Sequence, residues 1–347
     1  MCQTKKILFL GGSITAGAFA SERHLSWPAL CYEKIAGPLF GHNCTMINAS
    51  ISGTGSFVAA ARLKQHVLHY APDMVFIEFA VNDLFEAEEN PDAVISSLDY
   101  IIRTLQKTNP NVVIVFAYTT YRGRNASKTH HIVAQHYGIP ELDFQTPIAE
   151  LVEAGTHTWD DFLRDLAHPN DVGHRFYADI AANTILADPQ RFLTPTRQAE
   201  PIGTYRFRNA DIIPAEKADS LEGFTMTEAR DRLKYKNIPE LIVTHAACTD
   251  TPGASITVRF TGTAFGIYHR IFSDHGRVRV CIDGEEKGVL TCYYVYPADT
   301  ECYGEYLSLF KCYGLAEGDH VAQITVLDQP DERATGNRIS IAGFLVG

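Results

Sequence analysis

Two different hydrophobic patterns divide this chain of 347 residues. In the first half, short runs that are apolar throughout alternate with longer segments of helical spacing, such as 56–69 and 91–106. Runs without polar alternation are typical of parallel strands covered on both faces. The runs that we predict as strands are 6–10, 45–48, 74–79 and 112–117. The pattern therefore predicts an α/β domain, a flavodoxin-like three-layer arrangement with a parallel sheet between helices.

The second half instead alternates apolar and polar residues with a period of two. The segments 255–260, 264–268, 277–282 and 321–326 carry this alternation. Turn-forming residues separate them at Asp283-Gly284 and at Glu317-Gly318-Asp319. Such strands and turns predict an all-β sandwich, which we expect to be antiparallel. In these turns and this alternation the second half also resembles jelly-roll modules.

Three prolines mark the boundary between the two patterns. Pro189, Pro195 and Pro201 follow the helical segment 173–186 and interrupt any regular element. A chain of this length also exceeds the usual size of one domain. We therefore predict an α/β domain at 1–190, a linker at 191–204 and a β-sandwich at 205–347.

The charge and the apolar content exclude several classes of partner. A formal net charge of −11 repels phosphate backbones and anionic lipids, so we predict neither nucleic acid nor membrane as a partner. The first apolar run is too short for a signal peptide and no stretch could span a bilayer, which predicts a cytoplasmic protein. The eight cysteines include no C-x-x-C pair, so we expect free thiols and no metal.

A glycine-rich turn, Gly11-Gly12-Ser13, follows the first predicted strand. It does not fit G-x-G-x-x-G, and Ala18-Phe19 stand where a phosphate-binding loop needs Lys and Ser or Thr. A serine at the carboxyl end of a parallel strand lies where ligands bind in this architecture. Taken alone, the motif also fits an ordinary strand-to-helix turn.

An aspartate and a histidine far downstream could complete a nucleophilic site. Asp165 and His168 are three residues apart, so the carboxylate can hold the imidazole in the tautomer whose other nitrogen faces a serine. An ion pair at a helix entry is the alternative for this pair alone.

With these residues the chain resembles the SGNH hydrolases, also called the GDSL family of lipases and esterases, over about residues 5–187. Four sequence blocks carry the resemblance, in the order of the family: Gly11-Gly12-Ser13, Asn48-Ala49-Ser50-Ile51-Ser52-Gly53-Thr54, Ala80-Val81-Asn82-Asp83 and Asp165-Leu166-Ala167-His168. Two positions depart from the usual pattern, because Gly12 replaces an aspartate and Ala80 replaces a glycine.

The resemblance implies a role for each block. Ser13 would attack an ester carbonyl, His168 would accept and return the proton, and Asp165 would stabilise the imidazolium. The backbone N–H groups of Ser13 and Gly53 and the side-chain amide of Asn82 would form the oxyanion hole. This chemistry needs no cofactor.

The expected function is a serine esterase that removes a short acyl group, in the first place acetyl, from a carbohydrate. One alternative is an acyltransferase that moves the acyl group to a sugar hydroxyl. Another is a glycan-binding or interaction protein whose hydrolase domain is a scaffold. The predicted partner is a small acylated carbohydrate, and self-association into a homo-oligomer is left open.

Several aromatic residues have two interpretations. Trp27, Tyr118 and Trp159 either line an acyl or alcohol pocket or pack in the core. Six tyrosines fall between Tyr293 and Tyr313. They could stack on sugars, so that the β-sandwich binds carbohydrate, or they could cover a sheet surface or an interdomain contact.

Four polar residues near the predicted site are expected to be structural. Asp83 is interpreted as a turn carboxylate. The pair His130-His131 and the nearby His136 lack metal-ligand spacing, so we do not predict them as ligands.

Overall fold

The computed structural model describes residues 4–229, 242–295 and 306–347. The chain divides after Thr204 into two compact units. No described helix has the length and apolar character needed to cross a bilayer. The six cysteines among the described residues are free thiols.

The first unit is built around a parallel sheet. Its described strands are β1 (Lys5–Gly11), β2 (Cys44–Asn48), β3 (Met74–Glu78), β4 (Val113–Tyr118) and β5 (Glu141–Asp143). They are hydrogen-bonded in the order β2-β1-β3-β4-β5. The first four agree with the predicted strands to within one or two residues, and the short β5 was not predicted.

Helices cover this sheet. They are α1 (Ser13–Ala16), α2 (Trp27–Phe40), α3 (Ser56–His66), α4 (Leu84–Glu89), α5 (Pro91–Thr108), α6 (Ser127–Tyr137), α7 (Gln145–Glu153), α8 (Trp159–Phe162) and α9 (Asp171–Ala187). Helix α2 packs against α9, and α5 packs against both α3 and α6. The flavodoxin-like three-layer prediction is confirmed.

The predicted linker 191–204 packs against the first unit. The hydroxyl of Thr196 accepts a hydrogen bond from the Ile114 N–H at 2.8 Å, beside strand β4. Further along, the N–H of Ile202 donates to Asp99 of α5 at 3.0 Å. These bonds fix the segment up to the point where the second unit begins.

The named strands in the described part of the second unit pair in antiparallel fashion. Its strands are β6 (Asp211–Pro214), β7 (Ser220–Glu222), β8 (Thr225–Glu228), β9 (His245–Thr249), β10 (Ser255–Arg270), β11 (Arg277–Ile282), β12 (Glu285–Thr291), β13 (Tyr306–Leu307), β14 (Lys311–Val326) and β15 (Ile339–Val346). They enclose a core of aliphatic and phenylalanine side chains. The all-β prediction for this half is confirmed.

Two predicted interruptions in the second unit are wrong. The segments 255–260 and 264–268 form one strand, β10, which changes register between Gly262 and Ala264 instead of ending. The predicted turn at Glu317-Gly318-Asp319 lies inside β14, where Gly318 pairs with Gly262. Glycine at both positions tolerates a local irregularity without breaking the ladder. The turn at Asp283-Gly284 does join β11 to β12.

The aromatic side chains of the first unit are mostly core residues. Trp27 is fully buried and meets the Phe9 ring edge-on at a centroid distance of 5.4 Å. Tyr118 is 4% exposed and donates its hydroxyl to Glu141, while Trp159 packs against the core from a partly buried position. For Trp27 and Tyr118 the core interpretation is therefore the correct one.

Replacement of Trp27 should be costly for folding. We expect Trp27→Ala to lower the free energy of unfolding by about 3–5 kcal/mol, because it leaves a cavity among Phe9, Phe76 and Phe144. Trp27→Phe should cost clearly less, since its ring fills most of the space. It also removes an indole N–H that has no acceptor within the described part of the chain. Urea denaturation of both variants measures the difference, and equal losses would contradict this view of the core.

Candidate active site

The carboxyl ends of β1 and β3 approach each other closely, and two glycines permit this. A Cβ atom on Gly11 would lie 2.9 Å from the carbonyl oxygen of Glu78, and one on Gly12 would lie 2.1 Å from Oδ1 of Asn82. Both distances are shorter than van der Waals contact. A side chain at residue 11 would therefore meet the backbone of β3, and one at residue 12 would have to displace the Asn82 side chain.

The structure brings Ser13, His168 and Asp165 into one hydrogen-bonded chain. Ser13 Oγ lies 2.7 Å from His168 Nε2, and His168 Nδ1 lies 2.7 Å from Asp165 Oδ2. The serine is the first residue of α1, directly after β1. In this arrangement the carboxylate accepts from Nδ1–H, which leaves Nε2 free to accept the proton of the serine hydroxyl.

The turn that carries Asp165 and His168 is fixed by backbone hydrogen bonds. Asp165 Oδ1 accepts the N–H groups of Ala167 and His168, both at 2.8 Å. The N–H of Arg164 donates to the carbonyl of His168, which closes the turn. Burial opposes ionisation of Asp165, but the hydrogen bonds and charge of His168 and the bond from Ala167 outweigh it and lower its pKa to about 2.

Two of the three expected oxyanion donors lie next to this chain. The N–H of Ser13 belongs to the first turn of α1, where a helix has no internal acceptor. The Asn82 side chain lies against Gly12, as the short Cβ distance above indicates. Gly53 has φ of +69° in the loop after β2, and the Ile51 N–H ties that loop to the Gly11 carbonyl at 3.1 Å.

The loop after α1 is fastened to the beginning of α9. Asp171 accepts both the N–H and the hydroxyl of Ser21, at 2.8 and 2.6 Å. His174 lies 3.0 Å from the Ala18 carbonyl through Nε2 and accepts the Trp27 N–H at Nδ1. Burial lowers the pKa of His174 to about 4, so the ring is neutral and can donate at one nitrogen while accepting at the other.

Between these two attachments, the Phe19 ring lies beside the ring of His168. Its ring centroid lies 5.4 Å from that of His168. Phe19 has φ of +61°, which is costly for a bulky side chain. The attachments at Ala18 and Ser21 hold this backbone conformation and keep the ring beside the imidazole.

A buried carboxyl group lies under the turn that carries Ser13. Glu78, the last residue of β3, is fully buried and accepts the hydroxyls of Thr15 and Thr119, at 2.8 and 2.7 Å. Burial raises its pKa to about 7, against the effect of the two threonines and with a contribution from nearby Asp83. Glu78 thus joins α1 to the ends of β3 and β4.

The other polar residues predicted to be structural have structural contacts. Asp83 is buried, accepts the Ser56 N–H at the start of α3 and lies 3.0 Å from Nε2 of His130. His131 pairs with Glu141, and His136 contacts the Glu200 carbonyl. No group of potential metal ligands occurs in the ranges that the structure describes.

The tyrosine-rich segment gives a mixed picture. Tyr313 stacks on Tyr205 at a centroid distance of 5.4 Å, and Tyr306 is buried. Tyr293 lies under the guanidinium of Arg333. Tyr296 and Tyr303 lie outside the described residues, so the sugar-stacking interpretation of this segment stays a prediction.

Sequence reasoning did not find Glu78, Phe19 or the Asp171 and His174 attachments as parts of the site. Glu78 had a signal, because it is a lone carboxyl in an otherwise apolar strand. No sequence pattern pointed to Phe19, because its position depends on the bonds between the loop after α1 and helix α9.

Ser13, His168 and Asp165 meet at the carboxyl edge of a flavodoxin-like sheet, an arrangement similar to that of the SGNH hydrolases. In agreement with this, residues 9–176 match the model of the GDSL-like lipase/acylhydrolase family. The match lies within the first unit of this chain and covers most of it.

Individual relatives cover different parts of the chain. An arylesterase of Vibrio mimicus is 33% identical over 112 residues, which are 32% of this chain and 54% of the relative. The chain thus spans about half the length of this curated relative. Crystal structures of a two-domain esterase active on acetylated mannans, one with mannopentaose, cover 99% of this chain at 21% identity. The match covers 90% and 91% of those chains with TM-scores of 0.76 and 0.74, so the likeness in fold extends over both units.

The raised pKa of Glu78 predicts a specific pH dependence of stability. Its pKa is about 7 in the folded chain and 4.5 in the ordinary state, so the unfolded chain loses this proton first. Folding therefore becomes less favourable as the pH rises from about 4.5 to above 7, by up to about 3 kcal/mol. In Glu78→Gln this part of the decrease should be absent.

Urea denaturation of wild type and Glu78→Gln between pH 4.5 and 8 measures the effect. Glu150→Gln serves as a control, because that carboxyl lies on the exposed side of α7. If the wild type and Glu78→Gln showed parallel pH profiles, Glu78 would not be a carboxyl that burial keeps protonated.

Proposed function

We propose that this protein is a serine esterase that hydrolyses short acyl esters, in the first place acetyl esters of carbohydrates. The observation that carries the proposal is the continuous chain from Asp165 through His168 to Ser13, with both contacts at 2.7 Å. We assign the catalysis to a domain at 1–190, with a linker at 191–204 and the β-domain at 205–347.

In the proposed mechanism His168 Nε2 removes the proton of Ser13 as Oγ attacks the ester carbonyl. The tetrahedral oxyanion is stabilised by the N–H groups of Ser13 and Gly53 and by the Asn82 amide. His168 then gives its proton to the leaving alcohol, and the C–O bond breaks to leave an acyl-Ser13 ester. Water, deprotonated by His168, attacks this ester and releases the carboxylic acid and free Ser13.

Asp165 supports each of these proton transfers. Its low pKa keeps it ionised through the cycle, so it can stabilise the imidazolium that forms twice. The N–H bonds from Ala167 and His168 hold one carboxylate oxygen, which leaves the other directed at Nδ1.

A carbohydrate is the alcohol half that we favour. The two-domain esterase with the same two-unit fold is active on acetylated mannans. A substrate of that class is an uncharged acyl sugar, which an acidic protein of net charge −11 does not repel. A cytoplasmic location remains a prediction of the sequence.

Loss of the nucleophile should abolish turnover without unfolding the protein. We expect Ser13→Ala to reduce kcat for acetylated oligosaccharides to background, and Asp165→Asn to reduce it by about 10²- to 10⁴-fold, because the amide favours the wrong imidazole tautomer. Release of acetate, measured with and without a sugar acceptor, gives the rates and separates hydrolysis from acyl transfer. Full activity of Ser13→Ala would exclude the proposed function, and acceptor-dependent turnover would make the protein an acyltransferase.

The close contact between Gly12 and Asn82 predicts that a methyl group at residue 12 acts through the oxyanion site. Gly12 has φ of −88°, so alanine meets no backbone strain there. Its Cβ would displace the Asn82 amide. We expect Gly12→Ala and Asn82→Ala each to lower kcat by about 10²- to 10³-fold.

A double-mutant cycle tests this coupling. If the two changes remove the same interaction, Gly12→Ala should have little further effect in the Asn82→Ala background. Restoring the common family residue by Gly12→Asp should be at least as harmful as Gly12→Ala, since the larger side chain needs more of the same space. Multiplicative losses in the double variant would show that residue 12 acts independently of Asn82.

A further inference from the structure

The most exposed large hydrophobic side chain among the described residues lies close to the candidate active site. Phe85 is 58% exposed in the first turn of α4, while the preceding Leu84 is buried. Exposing a phenylalanine ring to this extent forfeits the burial that stabilises most such side chains. Its position therefore invites a functional explanation.

Phe85 is close in sequence to Asn82, a residue of the candidate active site. It follows Asn82 by three residues, and the Asn82 side chain lies against Gly12 beside the nucleophile. Three residues reach at most about 11 Å. Phe85 is therefore within this distance of Asn82, in the helix that follows strand β3.

A second aromatic ring continues this surface from the neighbouring strand. Tyr121, in the loop after β4, meets Phe85 edge-on with a centroid distance of 6.3 Å and an interplanar angle of 75°. The same loop is held toward α8 by the ion pair of Arg122 with Asp160. It also packs against α8, since a Cβ on Gly123 would lie 3.4 Å from the Trp159 ring.

Helix α8, which contacts this loop, is also bonded to the segment that contains His168. Asn170 donates to the carbonyl of Asp161 at 3.1 Å, and the Asn170 N–H donates to Phe162, so the segment containing His168 is fixed to α8. Phe85 and Tyr121 are therefore linked to Asn82 through the start of α4 and to the His168 segment through α8.

An ion pair lies beside the Phe85 ring, and α4 also carries the exposed Glu89. The guanidinium of Arg124 lies 5.9 Å from the centroid of Phe85 and pairs with Glu88 Oε1 at 2.6 Å. This pair leaves no net charge to select an anion or a cation. It does provide hydrogen-bonding groups beside an apolar face, which suits a ligand with an apolar face and polar edges.

We propose that Phe85 and Tyr121 form a stacking platform for a neutral pyranose ring on the alcohol side of the ester. A pyranose presents C–H groups on its faces and hydroxyls at its edge, so its face covers the aromatic surface while Arg124 and Glu88 bind hydroxyls. The platform holds the acetylated sugar next to Ser13. This inference rests on the proposed esterase function for its place in the reaction, but the binding itself does not require turnover.

The experiment compares substrates with and without a sugar ring. Wild type, Phe85→Ala, Phe85→Leu and Phe85→Trp are assayed on acetylated manno- and xylo-oligosaccharides and on ethyl acetate, with acid release followed at constant pH. Ile132→Ala, another half-exposed side chain of this unit, is the matched control. We expect Phe85→Ala and Phe85→Leu to lower kcat/KM for the oligosaccharides about five- to tenfold, mainly through KM, and to leave ethyl acetate unchanged. Phe85→Trp and Ile132→Ala should behave like wild type.

A binding measurement separates failure of this inference from failure of the esterase proposal. Calorimetric titration with plain manno-, xylo- and cello-oligosaccharides should show binding to wild type and to Ser13→Ala, and weaker binding to Phe85→Ala. Binding of this kind without hydrolysis would support the platform and refute the esterase. Equal losses on ethyl acetate and on oligosaccharides, or no binding of any plain oligosaccharide, would overturn the platform.

Discussion

The contact between Ser13 Oγ and His168 Nε2 joins residues 155 positions apart in the chain. No local element could produce it, so the rest of the first unit must hold both ends to within the tolerance of one hydrogen bond. At the serine end this depends on the close approach of β1 and β3, where Gly11 and Gly12 leave room for the Glu78 carbonyl and the Asn82 side chain. At the histidine end it depends on a short turn that Asp165 closes with its own carboxylate.

The two ends are also joined directly, beside the contact between Ser13 and His168. Asp171 and His174 follow His168 by three and six residues and bind the loop that follows α1. Any movement of α9 relative to α1 would break these bonds as well as the contact to Ser13. The position of the His168 imidazole thus depends on several long-range bonds that would break together. The same bonds hold Phe19 in a left-handed conformation.

Much of this could be predicted from the sequence, because the strongest signals were local. Apolar runs located β1 to β4, and the Asp165 and His168 spacing described a turn whose bonds lie within a few residues. Sequence patterns were misleading for residues whose surroundings are formed by distant parts of the chain. Gly318 was predicted to lie in a turn, but it pairs with Gly262 inside an antiparallel ladder. The place of Phe19 depends on the bonds between its loop and α9, which no local pattern indicates. Asp83 was interpreted as a turn carboxylate, but its partners Ser56 and His130 lie 27 and 47 residues away.

Asp165 and Glu78 show how the surroundings of a carboxyl group determine its pKa. Asp165 is partly exposed and accepts N–H groups and an imidazole, so its pKa falls to about 2. Glu78 is fully buried, and burial outweighs its hydrogen bonds with Thr15 and Thr119, so its pKa rises to about 7. In the proposed mechanism an ionised residue at 78 would place a negative charge beneath the oxyanion at Ser13, where it would oppose catalysis. The raised pKa shifts Glu78 toward the protonated form, which weakens that repulsion while the contacts with Thr15 and Thr119 persist.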